Sequence, residues 1–245
     1  MFLIAFPAVA GADTLIPDTY WGATPIAAPQ QDVIGKPTTF QVDSMKVYFL
    51  ANGLHVDIST AYVDSFISNY GLVGSSLGDL FIGTGGWKPV GVAPYENDNY
   101  ETTDTNWNFV LAFDSYPGPG AGGATSGSAS LYAIDGEDDI LFSDDFFFIG
   151  YRAHQMVRVD KSNASLVAAG GSWELDEANN LLKFIIPYDF GPVSGGQIAL
   201  HWSMTCGNDV IEGEAPVPEP SSMLLLGAGL IGLAVLARKR SCKKG

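Results

Sequence analysis

The chain has 245 residues, 47% of them hydrophobic, and its 27 acidic side chains outnumber 12 basic ones to give a formal net charge of −15. Five of the basic residues lie beyond residue 237, so residues 13–217 hold seven Lys or Arg against 26 Asp or Glu, a balance of −19. A field of this sign repels phosphate backbones and anionic lipid. Nucleic acid is therefore excluded as a partner.

The first twelve residues form an apolar run that ends in small side chains. Ala8-Val9-Ala10 and Ala10-Gly11-Ala12 fit the small-x-small pattern of a signal-peptidase site, which predicts a signal peptide over residues 1–12. Because no Lys or Arg precedes the run, we expect this signal peptide to be truncated, with the true start further upstream. Residues 13–39 are rich in Pro, Ala, Thr and Gln and predict an extended N-terminal arm, anchored at Tyr20-Trp21-Gly22.

Strand patterns begin after Phe40 and recur between Gly, Asn, Asp and Pro. One amphipathic helix is predicted over Ala61–Tyr70, with Gly71 as its stop. Many short strands and almost no helix favour an all-β fold, a single jelly-roll-like β-sandwich ectodomain over residues 40–216. The predicted strands are Lys46–Leu50, His55–Ser59, Asp79–Thr84, Trp107–Phe113, Ser130–Ile134, Asp145–Ile149, Gln155–Val159, Ser172–Leu175, Leu181–Ile186 and Gln197–Thr205.

Two of these strands alternate cleanly between apolar and other side chains. Alternation places one set of side chains on the buried face of each strand. The predicted core sets are Trp107, Phe109, Leu111 and Phe113 in one strand, and Ile198, Leu200, Trp202 and Met204 in the other.

The cysteines predict neither a disulfide nor a catalytic centre. Cys206 is the only cysteine before the C-terminal tail, which holds Cys242, so the two are not expected to pair. His201 and Cys206 would lie about 16 Å apart on opposite faces of an extended strand, beyond hydrogen-bond reach. We therefore expect Cys206 to be a small buried apolar residue and His201 to lie on the less buried face.

Acidic side chains gather in two predicted loops. Closely spaced carboxylates are the ligands that a hard cation such as Ca²⁺ requires, although neither loop has the order of an EF-hand. Ca²⁺ is therefore the candidate cofactor. The alternative interpretation is that the two loops are solvated acidic turns that bind no metal. The candidate metal ligands are Asp98, Glu101 and Asp104 in the first loop, and Asp135, Glu137, Asp138 and Asp139 in the second.

Loop aromatics suggest a second kind of site. Trp87 follows Gly85-Gly86 and precedes Pro89, and it could present its ring to a carbohydrate together with Tyr95. Paired carboxylates could also serve a secreted polysaccharide-acting hydrolase, but a chain this acidic contains such pairs by chance. No catalytic residue is predicted, and we expect a protein that is not an enzyme.

The C-terminal stretch has three zones in order. Val217-Pro218-Glu219-Pro220 forms a stiff turn, residues 223–237 are apolar and uncharged, and the basic cluster Arg238-Lys239-Arg240 follows. The apolar zone predicts a short transmembrane helix, since about 15 residues at ~1.5 Å rise cover only ~23 Å of a ~30 Å hydrocarbon core. The basic end places the C-terminus in the cytoplasm and the rest of the chain outside.

This tail resembles the PEP-CTERM sorting signal of Gram-negative bacteria. The resemblance implies recognition by exosortase, a membrane-embedded enzyme, with cleavage near Pro218-Glu219-Pro220 and delivery to the cell surface or an exopolysaccharide matrix. Residues 217–245 are accordingly read as a sorting signal that anchors the chain in the membrane before processing. The resemblance says where the protein goes and leaves its activity open.

A weaker resemblance concerns the ectodomain. Gly78-Asp79-Leu80-Phe81-Ile82-Gly83-Thr84 with Trp87, and the stretch from Ala199 to Gly213, are similar to a domain that recurs ahead of PEP-CTERM tails and implies no biochemical activity. The sequence therefore predicts an exported, exosortase-sorted surface or matrix protein. Its β-sandwich is expected to act structurally or to bind carbohydrate or Ca²⁺.

Overall fold

The computed structural model describes residues 13–23, 31–68, 74–120, 122–147, 152, 154–188, 190 and 193–218. The predicted signal peptide, the apolar segment 223–237 and the basic cluster lie outside these residues. Within the described part of the chain, no helix has the length and apolar character needed to cross a bilayer.

Ten strands form one antiparallel sheet, which confirms the predicted all-β class. Its spatial order is β1-β2-β3-β10-β9-β6-β5-β4-β11-β12. A separate pair, β7 and β8, lies outside this sheet. The strands are β1 Thr14–Pro17, β2 Val42–Leu50, β3 Gly53–Thr60, β4 Leu80–Gly83, β5 Phe109–Phe113, β6 Ser126–Ala133, β7 Ile140–Phe142, β8 Met156–Val159, β9 Ser165–Asp176, β10 Leu181–Ile186, β11 Gln197–Ser203 and β12 Val210–Pro216.

The sheet bends round until its two edge strands, β1 and β12, pack against each other. Gly213 permits this contact, because a Cβ at that position would overlap the Cγ2 atom of Ile16. Bending a sheet into a nearly closed barrel leaves little unpaired edge exposed. The enclosed space is the main core, which includes Trp202, Phe113 and Phe184.

A second, smaller core covers the outer face of β5 and β11. The β7–β8 pair packs there, so side chains on both faces of these strands are buried. Ile198, Leu200, Trp202 and Met204 belong to the main core, as predicted. Trp107 is the exception in the other predicted set, because β5 begins only at Phe109 and Trp107 lies in the outer core.

Part of the predicted N-terminal arm is built into the sheet. Residues 14–17 form β1, which pairs with β2 in the register Thr14 to Val47 and Pro17 to Ser44. Tyr20 is fully buried and anchors this segment, whereas Trp21 is only half-buried. The arm prediction missed this strand because four residues are too few to show alternation.

Helices are short. They are α1 Pro37–Phe40, α2 Tyr62–Ile67 and α3 Ser143–Phe146. Helix α2 lies within the predicted helix, whose residues 69 and 70 are outside the described part. The prediction of a strand over Asp145–Ile149 is wrong, since residues 143–146 are helical and the Asp145 carboxylate accepts a hydrogen bond from the Phe142 backbone N–H at 2.7 Å.

Candidate functional site

Trp87 and Tyr95, predicted as a sugar-contacting pair, meet in the loop between β4 and β5. Their ring centroids lie 5.1 Å apart in an edge-on arrangement, and both residues are half-buried. The ring of Tyr20 packs beneath them, 6.3 Å from Trp87 and 6.1 Å from Tyr95. The structure therefore joins two residues eight positions apart into one aromatic patch, formed by Tyr20, Trp87 and Tyr95.

A buried acid fixes the orientation of Trp87. Its indole N–H donates to Oε2 of Glu212 at 2.9 Å, while Oε1 of Glu212 lies 2.8 Å from Nδ1 of His201. Nε2 of His201 lies 2.7 Å from the Met156 carbonyl, to which only a protonated nitrogen can donate. His201 is fully buried, so its predicted place on a less buried face is wrong.

The first predicted metal loop is divided between interior and surface. Asp98 is buried and accepts hydrogen bonds from the Tyr20 hydroxyl at 2.9 Å and the Val90 backbone N–H at 2.8 Å. Burial raises the pKa of Asp98 to about 6, and the Glu212 charge acts in the same direction. Glu101 and Asp104 are exposed, and Glu101 lies 3.6 Å from Nε2 of His154.

The second predicted loop also keeps its acids apart. Asp139 is buried and accepts a hydrogen bond from the Asp135 backbone N–H at 2.8 Å, which closes the turn. Asp135, Glu137 and Asp138 are exposed. Among the residues that the structure describes, neither predicted loop brings three possible ligand atoms within 4.8 Å of one another. Calcium binding there stays a prediction without geometric support.

Three other carboxylates do converge, at the end of the barrel where β12 begins. Ligand atoms of Asp18, Asp32 and Asp209 all lie within 4.8 Å of one another. Oδ2 of Asp209 accepts from the Val42 backbone N–H at 2.6 Å, and Oδ1 from the Val210 N–H at 2.9 Å. Both carboxylate oxygens of Asp18 and Oδ1 of Asp32 are buried and have no hydrogen-bond partner among the described residues. These are the described residues that could hold a metal ion.

A buried arginine already supplies positive charge to this cluster. The Arg152 guanidinium donates to the carbonyls of Gln31, at 2.6 Å, and Asn208, at 2.8 Å. Burial raises the pKa of Asp18 to about 8, helped by the Asp32 charge and opposed by the Arg152 charge. Burial also raises the pKa of Asp209. Three acids separated by 14 and 177 positions give no spacing signal, so the sequence could not reveal them.

The sheet ends where the C-terminal tail begins. Val217 follows β12, and its backbone N–H donates to the Gly196 carbonyl at 2.8 Å. Residues 216–240 match the family model of the PEP-CTERM protein-sorting motif. Comparisons with curated proteins and with solved structures gave no match.

The match defines an exported protein with a C-terminal sorting signal, made as a membrane-anchored precursor. The chain is a PEP-CTERM sorting domain-containing protein, and the motif implies processing by exosortase, a membrane-associated enzyme. Of the predicted motif, Val217 and Pro218 are described, while Glu219, Pro220, Arg238, Lys239 and Arg240 lie outside the described residues. The match covers 25 residues, so it assigns the sorting of the β domain and not its activity.

Proposed function

We propose that the β domain is a non-catalytic module that binds polysaccharide at the cell surface or in the extracellular matrix of a Gram-negative bacterium. The observation that carries this proposal is the contact between Trp87 and Tyr95, with ring centroids 5.1 Å apart on a partly exposed loop. Aromatic side chains with one polar end and partial exposure are suited to contacts that are partly apolar and partly hydrogen-bonded. A sugar ring presents both kinds of surface.

The surroundings of the aromatic patch suit a preformed binding surface. Glu212 holds the indole nitrogen of Trp87, and Oε2 of Glu214 lies 3.5 Å from its backbone nitrogen. A ring held in place loses little conformational entropy when a ligand binds. Exosortase processing would bring such a module to the polymer-rich exterior.

A non-catalytic role fits the way in which buried acids are used. Asp79 accepts hydrogen bonds from the Tyr116 hydroxyl at 2.8 Å and from the backbone N–H groups of Val159, at 3.0 Å, and Phe113, at 3.3 Å. Burial raises the pKa of Asp79 to about 6. Its oxygens are occupied by these internal donors, which oppose the rise in pKa, so burial causes the rise and the acid is used within the fold.

A glycan array probed with the full chain in detergent, with and without calcium, tests this proposal. Trp87→Ala and Tyr95→Asn should each abolish binding, and asparagine is chosen because Tyr95 has a φ of 57°. Tyr188→Ala is the matched control, since it removes a half-buried aromatic side chain from a different loop. Binding that survives both patch variants would overturn the proposed site. Release of new reducing ends from bound glycans would overturn the non-catalytic role.

A further inference from the structure

An apolar groove opens at the end of the barrel where the sorting tail leaves. It has a volume of about 600 Å³, and we call it the exit groove. The β2–β3 turn forms one wall and the segment after β10 forms another, while Val217 and Pro218 complete the lining. Leu50, Asn52, Tyr188 and Phe190 are among its eleven lining residues.

The walls of the exit groove are closely packed against the end of the barrel. Gly53 has a φ of 130°, and a Cβ there would overlap the Ile186 carbonyl, so the turn fits closely against the end of β10. The rings of Tyr188 and Phe190 pack together at 5.1 Å and both contact Phe109. Leu50 stands at the rim with 56% of its surface exposed.

The lining is unusual in this chain because it carries no charge. None of its eleven residues is Asp, Glu, Lys or Arg, in a domain with 26 acidic side chains. Its one amide side chain is already used, since Oδ1 of Asn52 lies 2.9 Å from Nε2 of His55. An apolar surface with aromatic side chains and no acid is one that can approach lipid without electrostatic repulsion.

We propose that the exit groove lies against the phospholipid surface of the membrane in which the sorting tail anchors the precursor. The short link between the β domain and the predicted membrane segment requires this proximity. Four residues lie between Pro218 and Met223, where the apolar segment begins, and the five steps from one to the other span at most about 18 Å in an extended chain. The opposite end of β2 lies about 26 Å from Leu50 along the strand, because eight steps of ~3.3 Å separate Val42 from Leu50.

The consequence concerns how the substrate is presented for processing. Lipid contact at the groove orients the domain so that Val217 and Pro218, at the start of the sorting motif, lie at the membrane surface. This inference rests on the membrane anchor and is independent of polysaccharide binding.

The test uses the full chain reconstituted in phosphatidylcholine nanodiscs, with Cys242→Ser to remove the tail thiol and Cys206 left in place as a fully buried residue. An environment-sensitive fluorophore is attached at Leu50→Cys, and brominated lipid serves as the quencher. The matched control is Ala178→Cys, which is exposed at the opposite end of the barrel. We expect roughly threefold greater quenching at residue 50, since interfacial groups sit within ~5–10 Å of the acyl boundary.

A second variant checks that the groove itself makes the contact. Leu50→Asp puts a charge at the rim. With a label at Ala51→Cys, it should lower lipid quenching relative to the same label in a chain that keeps Leu50. Equal quenching at residues 50 and 178 would overturn the proposal. Protection of residue 50 from aqueous iodide without quenching by brominated lipid would also overturn it, since that result would mean that protein covers the groove.

Discussion

Nδ1 of His201 lies 2.8 Å from Oε1 of Glu212, and both side chains are almost completely buried between the sheet and its outer layer. The two residues face each other on the paired strands β11 and β12. Because Nε2 of His201 donates to a carbonyl, a proton must also be shared between Nδ1 and the Glu212 carboxyl. This pair ties the last strand, which leads to the sorting tail, to the aromatic patch.

Glu212→Ala should therefore destabilise the fold strongly. It leaves His201 Nδ1 and Trp87 Nε1 buried without acceptors, which costs about 3–5 kcal/mol for a broken buried pair. Glu212→Gln retains an acceptor oxygen for Trp87 and should cost less. Thermal unfolding of the full chain in detergent measures both, with the exposed Glu177→Ala as a control expected near wild type. Similar midpoints for all three variants would contradict this account.

Trp202→Ala should be among the most destabilising changes in the main core. The side chain is fully buried, and its indole N–H donates to the Gly78 carbonyl at 3.0 Å. Removing a buried aromatic side chain costs about 3–5 kcal/mol, a large share of a typical ~5–15 kcal/mol stability. The melting midpoint should fall by many degrees, whereas Val92→Ala, at an 82% exposed position, should leave it unchanged.

Closure of the barrel can be tested at Gly213. Gly213→Ala places a methyl group against Ile16 and should cost on the order of 1–3 kcal/mol through overpacking. Ile16→Ala removes the atoms that would be struck, so the double variant should be less destabilised than the sum of the two single changes. Strictly additive losses would show that β1 and β12 do not press together at this point.

Stability should depend on pH through Asp18. Its folded pKa of about 8 exceeds the unfolded value, so folding favours the protonated carboxyl. This contribution is fully present below about pH 4 and is lost as the pH rises through about 8. Asp18→Asn imitates the protonated form. It should raise the melting midpoint above that of wild type at pH 8, by a free energy on the order of a few kcal/mol, with little difference near pH 4.

Calcium provides the control for this interpretation. The melting midpoint at pH 8 is compared in calcium chloride and in sodium chloride of equal ionic strength, for wild type and for Asp18→Asn. If calcium raises the midpoint more than sodium does, and only in the wild type, a cation and not a proton neutralises the cluster. Equal effects of the two salts leave the protonation account standing.

How far the sequence predicts this structure depends on whether a pattern is local. The all-β class and strands such as β5 and β11 were predictable because apolar side chains alternate within single segments. β12 escaped prediction because two glutamates, a glycine and a proline interrupt its apolar pattern, although all but its last residue are at least half-buried. Without β12, the pairing of His201 with Glu212 could not be foreseen.

The candidate site likewise combines contacts within one loop, which the sequence can predict, with contacts between distant segments, which it cannot. Trp87 and Tyr95 belong to one loop, so their proximity could be expected from the sequence. The cluster of Asp18, Asp32 and Asp209 depends on how the N-terminal segment folds onto the start of β12, which no local pattern specifies. The predicted metal loops rest on composition alone, and in them Asp98 and Asp139 turn inward to accept backbone N–H groups.

Changing Pro218-Glu219-Pro220 to Ala-Ala-Ala should leave an uncleaved precursor in the membrane. The match to the sorting motif begins at residue 216, directly at the end of β12, and the apolar segment 223–237 is untouched, so the tail should still insert. Exosortase would lack its recognition motif. Fractionation of cells and the size of the product measure retention. Pro119→Ala, in an exposed loop, is the control for a proline change alone. Because Pro218 lines the exit groove, the melting midpoint of the triple variant is also measured, and an unchanged value shows that the domain remains folded. Release of the triple variant at the wild-type rate would contradict the assigned role of the motif.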